Sequence, residues 1–359
     1  MQIKLTSFLN FRNLEDSTVN FSSGINLFYG KNGQGKTSFL EAVYFNVTGK
    51  SFRTKSQKEM QKYNFDNYGV YSEYIDMYGE RNVATTLKNG KKSYFYNKKK
   101  VQFDEFMGKV NVISFIPEDI NLISGSPSIR RDFFDYEISQ SNFEYYKITR
   151  DFEKVLKIRN KFISEKKVKG DIFDIYNENY MDLSAKIITR RVEYIKKISI
   201  MLNLNYRKLF EKESELKIVY SSELGDLSKL KESEVKELIK KELEKNIQKE
   251  LYLGYTVIGP QKDDFLFFLK EKEAKNYASM GEKRSIVFAM KIAEIDMILK
   301  EKKENPLFMI DDITSYFDKN RQESVINYFK KRNIQTFITS TEELNLGETK
   351  FYIEKGKII

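Results

Sequence analysis

Along the first 120 or so positions, apolar residues come in short runs that stop at turn-forming residues. Residues 3–9 and 25–29 are two such runs, and their length and boundaries predict strands. Residues 36–47 change to helical spacing, with Phe39, Leu40, Val43 and Val47 on one face. Residues 70–76, 82–87, 93–96 and 110–116 are further strand-like runs, some joined by Asn-Gly or Lys-rich turns. From about 120 to 250 the period becomes helical throughout. Ser141 and Glu144 read as a capping box, and apolar positions at helical spacing follow to residue 163, the stem of Arg159 among them. Residues 172–212 carry a longer helical pattern. Val235, Leu238, Ile239, Leu243, Ile247 and Leu251 then mark an amphipathic helix whose other face is Glu and Lys. Beyond about 251 strand and helix alternate again: a Phe/Leu strand at 264–269, a helix at 281–300, a buried strand at 307–310, a helix at 320–332 and a strand at 335–339. Such alternation predicts a parallel α/β sheet. The pattern as a whole predicts one α/β domain, a mixed sheet with helices, built from residues 1–120 and 251–359. A helical lobe, 121–250, is inserted between its halves.

Composition narrows the chemistry. The 359 residues contain neither Cys nor His, which excludes thiolate nucleophiles, iron–sulfur clusters, Cys- or His-ligated zinc and any imidazole base. Acid–base work then falls to carboxylate, Lys or Tyr, and any metal is a hard cation held by oxygen. The N-terminus has no long apolar segment with a cleavage site, and no stretch is long and apolar enough to span a bilayer, so the expectation is a cytoplasmic protein with no membrane partner. Lys and Arg exceed Asp and Glu by 62 to 52, a net charge of +10 that suits a polyanionic partner or reflects Lys-rich composition alone.

The sharpest signal is Gly30-Lys31-Asn32-Gly33-Gln34-Gly35-Lys36-Thr37, followed by Ser38. It fits the G-x-x-x-x-G-K-[ST] phosphate loop, and it lies between the predicted strand 25–29 and the predicted helix. Glycines let backbone N–H groups turn inward around phosphate oxygens, and the helix N-terminus adds partial positive charge. Lys36 is expected to reach the β- and γ-phosphates of ATP and Thr37 to ligate Mg²⁺. Leu307-Phe308-Met309-Ile310-Asp311-Asp312 supplies the partner carboxylates. Asp311, at the C-terminal end of a buried strand, is expected to hold Mg²⁺ directly or through water. Asp312 is placed to polarise the attacking water. Ala278-Ser279-Met280-Gly281-Glu282 opens the helix before that strand, and Ile313 to Asp318 follow the acidic pair. In order and spacing this resembles an ABC-type ATPase head: phosphate loop, long insertion, S-x-G signature, acidic strand end and a loop ending in Asp. In that class the signature serine, here Ser279 with Gly281 beside it, caps the γ-phosphate held by the opposite subunit.

The resemblance extends to the RecF family of recombination and gap-repair ATPases within the SMC-like ABC group, and it runs the length of the chain. Leu9 to Asn13, Gly33 to Tyr44, Gly49 to Thr54, Pro117 to Asp119, Gly125 to Asp135, Arg159-Asn160, Gly259 to Asp264 and the tail from Phe351 to Ile358 are similar to that family's ordered blocks. Three departures stand out: Gln261 replaces the His of G-P-H, Glu282 replaces the usual signature Gln, and the chain has no Trp.

The resemblance implies a head-to-tail homodimer that closes with ATP on duplex DNA near gaps and single-strand/double-strand junctions. It further implies a weak, DNA-stimulated ATPase that opens the dimer, and action with RecR, and with RecO and RecA downstream, in replication, repair, recombination and the SOS response. It also implies that Arg12 approaches the nucleotide, although a strand-end charge reads the same way. Lys36, Asp312 and, in trans, Ser279 carry the catalytic roles. Candidate phosphate contacts for DNA are Arg53, Lys55, Arg130, Arg131, Lys154, Lys157 and Lys161. A solvated charged face is the alternative for each, and a bracing role the alternative for Arg130 and Arg131. Glu118 and Asp119 either sense the metal and water or cap a helix. An SMC-like head acting on another DNA or protein partner is the competing function.

Overall fold

The computed structural model describes residues 1–346 and 348–359, and all their side chains except those of Ser141 and Asn320. The chain forms two compact units, residues 1–119 with 294–359, and residues 120–293. The first half of the chain runs β1 (Gln2–Leu9), β2 (Ser17–Asn20), β3 (Ile25–Tyr29), α1 (Lys36–Thr48), β4 (Asn67–Asp76), β5 (Gly79–Lys88), β6 (Lys91–Tyr96), β7 (Lys99–Val101) and β8 (Val112–Phe115). The second unit contributes α2 (Pro127–Ser141), α3 (Phe143–Ser164), α4 (Asp171–Leu209), β9 (Leu216–Ser221), α5 (Glu232–Leu253), β10 (Asp264–Leu269), β11 (Lys272–Glu273) and the start of α6 (Met280–Lys302). The chain returns through β12 (Leu307–Ile310), α7 (Lys319–Arg332), β13 (Thr336–Ser340), β14 (Thr349–Glu354) and β15 (Lys357–Ile358).

The first unit holds two six-stranded sheets. One is antiparallel, in the order β2-β1-β4-β5-β6-β7. The other, in the order β15-β14-β3-β13-β12-β8, is parallel apart from the β14–β15 hairpin. Its central strands β3, β13 and β12 are buried almost throughout because both faces are covered. The periodicity predicted a one-sided α1, but nearly every residue of the helix is buried. The reason is its setting against both sheets. Phe39 stacks on Phe28 of β3 at 3.9 Å and meets Phe8 of β1 edge-on at 5.5 Å. Asn46 accepts from the backbone N–H of Thr85 in β5 at 2.9 Å and donates to the Ser72 hydroxyl in β4 at 2.8 Å. The buried amide is thereby satisfied, as burial requires.

The second unit is largely helical but includes a three-stranded sheet, β11-β10-β9. This moves its C-terminal limit from the expected 250 to 293. The Phe/Leu strand at 264–269 pairs antiparallel with β9, Phe267 opposite Ile218, so it belongs with the helices and not with the parallel sheet. Buried arginine–carboxylate pairs tie the unit together. Arg130 forms a two-pronged bond with Asp264, and Arg191 another with Asp135. Arg159, 1% exposed, bonds Glu250 at 2.8 Å and the Thr256 hydroxyl at 2.6 Å, while Thr256 donates to Asn160. The apolar stem counted in the sequence pattern therefore ends in a buried charge. The N-cap of α3 is Asn142, whose side chain accepts from Tyr145 N–H; the expected cap, Ser141, has a side chain outside the described residues. Among the described residues no helix is long and apolar enough to cross a membrane.

Arg159→Met strands the Glu250 carboxylate and should cost about 3–5 kcal/mol in urea unfolding of the second unit. Arg159→Met with Glu250→Leu should recover most of that loss. Equal losses in the single and double variants would show that the pair is not what holds α3 to α5.

Candidate functional site

The first unit has a cavity of about 740 Å³ where the ends of β3, β12 and β13 meet the start of α1. It is the carboxyl edge of the parallel sheet, where open α/β folds bind ligands. The phosphate loop forms one wall. Gly30 has φ +150°, and a Cβ there would lie 2.3 Å from the carbonyl oxygen of Ile353, so the close approach of β14 admits only glycine. Gly33 and Gly35 also have positive φ, and the Gln34 carbonyl and side chain accept from Gly356 N–H at 2.8 Å and Lys355 N–H at 2.6 Å. Gln34 is thus occupied by the C-terminal hairpin. Lys31 and Asn32 are exposed, and Asn32 lines the cavity.

Lys36 is 7% exposed and donates to the carbonyls of Gly30 at 2.7 Å and Lys31 at 2.9 Å. Burial lowers its pKa, against the pull of Asp312 and Asp311. The Thr37 hydroxyl stands 3.0 Å from both Asp311 carboxylate oxygens, and the Thr339 hydroxyl donates to one of them at 2.7 Å. Burial is the main cause of the raised Asp311 pKa, opposed by these hydroxyls and aided by Asp312 and Glu118. A hydroxyl and a carboxylate facing each other beside a lysine form the hard-oxygen donor set that suits Mg²⁺. Asp312 sits in the left-handed region at φ 56°, a conformation that costs a non-glycine residue roughly 1–2 kcal/mol. Its N–H donates to Thr339 at 2.7 Å, and its carboxylate accepts from the hydroxyls of Thr314, at 2.7 Å, and Ser315. The backbone strain is held in place by these bonds, which aim one carboxylate at the cavity rim.

Arg12 and Arg53 line the same cavity. Both reach Glu41, a fully buried carboxylate on α1: Arg12 through two bonds of 2.8 and 2.7 Å, Arg53 at 3.3 Å. Arg53, expected among the DNA contacts, therefore belongs to the phosphate-loop cavity. Glu41 escaped the sequence reading because nothing local marks a helical Glu as buried. Thr339, Gln61, Lys62 and Tyr63 also line the cavity, and only tertiary pairing brings them there.

Ser279 is the N-cap of α6 within the second unit. Its N–H donates to Glu282 at 2.7 Å, and Glu282 N–H donates to the Ser279 hydroxyl at 3.2 Å. This reciprocal cap uses the glutamate that replaces the usual glutamine. Ser279, Met280 and Gly281 are exposed. Gln261 accepts from the Tyr180 hydroxyl at 3.0 Å and donates to Ile258 O at 3.2 Å, so its amide serves the backbone of its own loop.

The expected DNA contacts divide. Arg130 is 3% exposed with both prongs on Asp264, which removes it from the surface; this corrects the expectation of a phosphate contact. Arg131 donates to Asp263 O at 2.8 Å and its pKa is lowered, chiefly by burial, so bracing within the unit fits it too. Lys154 pairs with Asp151 and Lys161 with Glu165. Lys55 and Lys157 are exposed. Asp119 accepts from Ile116 N–H at 2.9 Å, a capping role.

A parallel sheet with a phosphate loop on α1, an acidic strand end beside it and a signature serine capping a helix defines an ATPase head of the SMC-like ABC group. The chain matches the family model of the RecF/RecN/SMC N terminal domain over residues 2–352. It is 33% identical to the DNA replication and repair protein RecF of Lactobacillus johnsonii, covering 93% of this chain and 90% of that protein. Its identity to the protein of that name from Clostridium perfringens is 34%, covering 100% and 97%. The solved structure of the recombination mediator protein RecF-ATP in the RecFOR pathway superimposes with a TM-score of 0.93 at 28% identity, covering 100% of this chain and 97% of that one. A structure of an SMC head bound to the C-terminal winged-helix domain of ScpA, at TM-score 0.59 and 14% identity, shares the fold. The chain belongs to the RecF family.

Because its pKa is raised, Asp311 favours the protonated form in the fold, and its ionisation weakens the apo protein as pH rises through the carboxylate range. Asp311→Asn should therefore raise the apo melting temperature near pH 7.5 by roughly 2 °C. The gain should shrink toward pH 4, and Mg²⁺-dependent nucleotide binding should be lost. Calorimetry across pH showing no gain at neutral pH would contradict a carboxylate held at the cost of desolvation.

Proposed function

We propose that this chain is a DNA replication and repair ATPase in which ATP and Mg²⁺ close a head-to-tail homodimer on duplex DNA near gaps and junctions, and hydrolysis reopens it. The observation that carries the reading is the single cavity that gathers Lys36, Thr37, Asp311 and Asp312. The phosphate loop, with Gly30, Gly33 and Gly35 opening its backbone, cradles the phosphates, and Lys36 exchanges its carbonyl partners for phosphate oxygens. Thr37 and Asp311 hold Mg²⁺, whose chemistry is to neutralise charge on the phosphates. Asp312, aimed by Thr314 and Ser315, orients the attacking water and accepts its proton. Arg12 and Arg53, steadied on Glu41, add positive charge at the cavity rim. Ser279 and Gly281, exposed at a helix N-terminus, cap the γ-phosphate of a second copy.

The relatives' roles in DNA replication and repair, and the RecFOR pathway of the solved structure, support a cytoplasmic role with RecR, and with RecO and RecA downstream. Slow, DNA-stimulated turnover suits such a timing device. Glu282 adds a carboxylate next to the proposed phosphate cap, so closure in this chain works against a like charge.

Sedimentation with ATP, Mg²⁺ and a gapped duplex tests the reading. Wild type should dimerise with ATP and retain the duplex, Lys36→Met should stay monomeric, and Ser279→Arg should bind ATP without dimerising. ATP-dependent dimers of the serine variant would sink the two-copy sandwich. Glu282→Gln should tighten the ATP-bound dimer by roughly tenfold, the worth of about 1.4 kcal/mol of relieved repulsion. A weaker dimer would assign the glutamate to the cap alone.

A further inference from the structure

The antiparallel sheet of the first unit buries only one face. Side chains alternate along its strands, so Thr6, Phe8, Val70, Val83 and Leu87 pack inward against α1 and its surroundings. The other face is open. Ladder pairs Lys88↔Lys91, Thr86↔Ser93, Ala84↔Phe95 and Phe95↔Lys100 set three lysines on that face around small side chains. Lys98 sits in the β6–β7 turn, at the other end of β6 from Lys91, and Lys99 pairs with Tyr96 on the inward face; that turn has Asn97 and Lys98 at positive φ, and the β5–β6 turn is Asn89-Gly90, also both positive. Two-residue turns of this kind fix the strand pairing, so the lysine stems spring from a rigid base.

All five lysines are exposed, and among the described residues none forms an ion pair. Lys92, on the inward face, is the contrast: it donates to Gly49 O at 2.9 Å, and burial lowers its pKa. On the open face the nearest carboxylate along β4 is Glu73, which accepts from the Tyr71 hydroxyl at 2.8 Å. It pairs with Asn82, whose side chain accepts from Lys98 N–H, so it stands near the β6–β7 turn and about 20 Å along the strand from Asn67, the partner of Lys88. By comparison, Arg130 on the inserted unit is buried, Lys154 pairs with Asp151 on its own helix, and Lys161 pairs with Glu165 just past the end of that helix.

We propose that this lysine-bearing open sheet face, carrying Lys88, Lys91 and Lys100, with Lys98 in the β6–β7 turn, is a docking surface for the phosphate backbone of duplex DNA. The inference rests on the DNA reading above and gives it a location that the sequence did not suggest. Lysines act as compact point charges on flexible stems, which suits phosphates and reads no bases. The rings on this face, Tyr71 and Phe95, are half-buried, so they offer no free platform on which unpaired bases would stack. A duplex presents phosphates without needing one.

Binding of a fluorescent random-sequence duplex by the full chain with ATP, titrated with salt, is the test. Each lost phosphate contact removes about 0.9 from the slope of log affinity against log salt, so Lys88→Gln with Lys91→Gln and Lys100→Gln should lower the slope by about 2 to 3 and the affinity by roughly tenfold or more. Lys91→Gln alone should lower the slope by about 1. Lys154→Gln with Lys157→Gln and Lys161→Gln should change it by less than about 1. ATP binding, measured on the same samples, should be unchanged in every one of these variants, which establishes that they are folded. A wild type that binds duplex, with a sheet variant that binds it equally, overturns this inference and leaves the DNA reading standing. A wild type without duplex affinity at low salt overturns both. Preference for single strands that survives the sheet variant also overturns it.

Discussion

A helix enclosed on all sides cannot shift without disturbing everything packed on it, and α1 is such a helix. Phe39 binds it to the parallel sheet and to the antiparallel one, and Asn46 adds hydrogen bonds to two strands of the latter. Its N-terminus is the phosphate loop. The positions of Lys36 and Thr37 are thus set by the packing of a core, while the loop itself needs only glycines that allow the turn. The same helix carries Glu41, so the two arginines at the cavity rim are positioned by the same buried surface.

Around that anchor the site is assembled from strands distant in sequence. Asp311 follows β12, Thr339 lies on β13 and the phosphate loop follows β3, and the order β3-β13-β12 makes them neighbours. The buried Asp311 carboxylate is held with two hydroxyls as partners, an arrangement that costs desolvation and leaves a negative oxygen pair where a hard cation fits. Asp312 adds backbone strain next to it. Desolvation and strain concentrated at one strand end are what a catalytic edge looks like when the surrounding core is strong enough to hold it.

The second unit solves a different problem with a different device. Its elements are joined by buried arginines whose planar guanidinium groups meet carboxylates with two bonds each. Blocks that resemble family motifs, Arg130-Arg131 and Asp263-Asp264, turn out to be partners in one such brace. A charged motif in sequence is therefore a poor guide to surface function when the partner charge is far away along the chain.

The sequence by itself determined the phosphate loop, the acidic strand end, the signature serine, the α/β alternation and the helical character of the insertion, because each rests on local spacing and turn chemistry. It also led to the family. Only the tertiary structure decided that α1 is buried all round, that 264–269 pairs with β9, and that Arg53 joins Arg12 on a buried Glu41. It alone decided, too, that Arg130 faces inward and that Lys88, Lys91 and Lys100 share one open sheet face. Periodicity reports which side of an element is apolar. It does not report how many neighbours the element will have, nor which distant charge will meet a given arginine, since both depend on strand order and on pairing across more than a hundred residues.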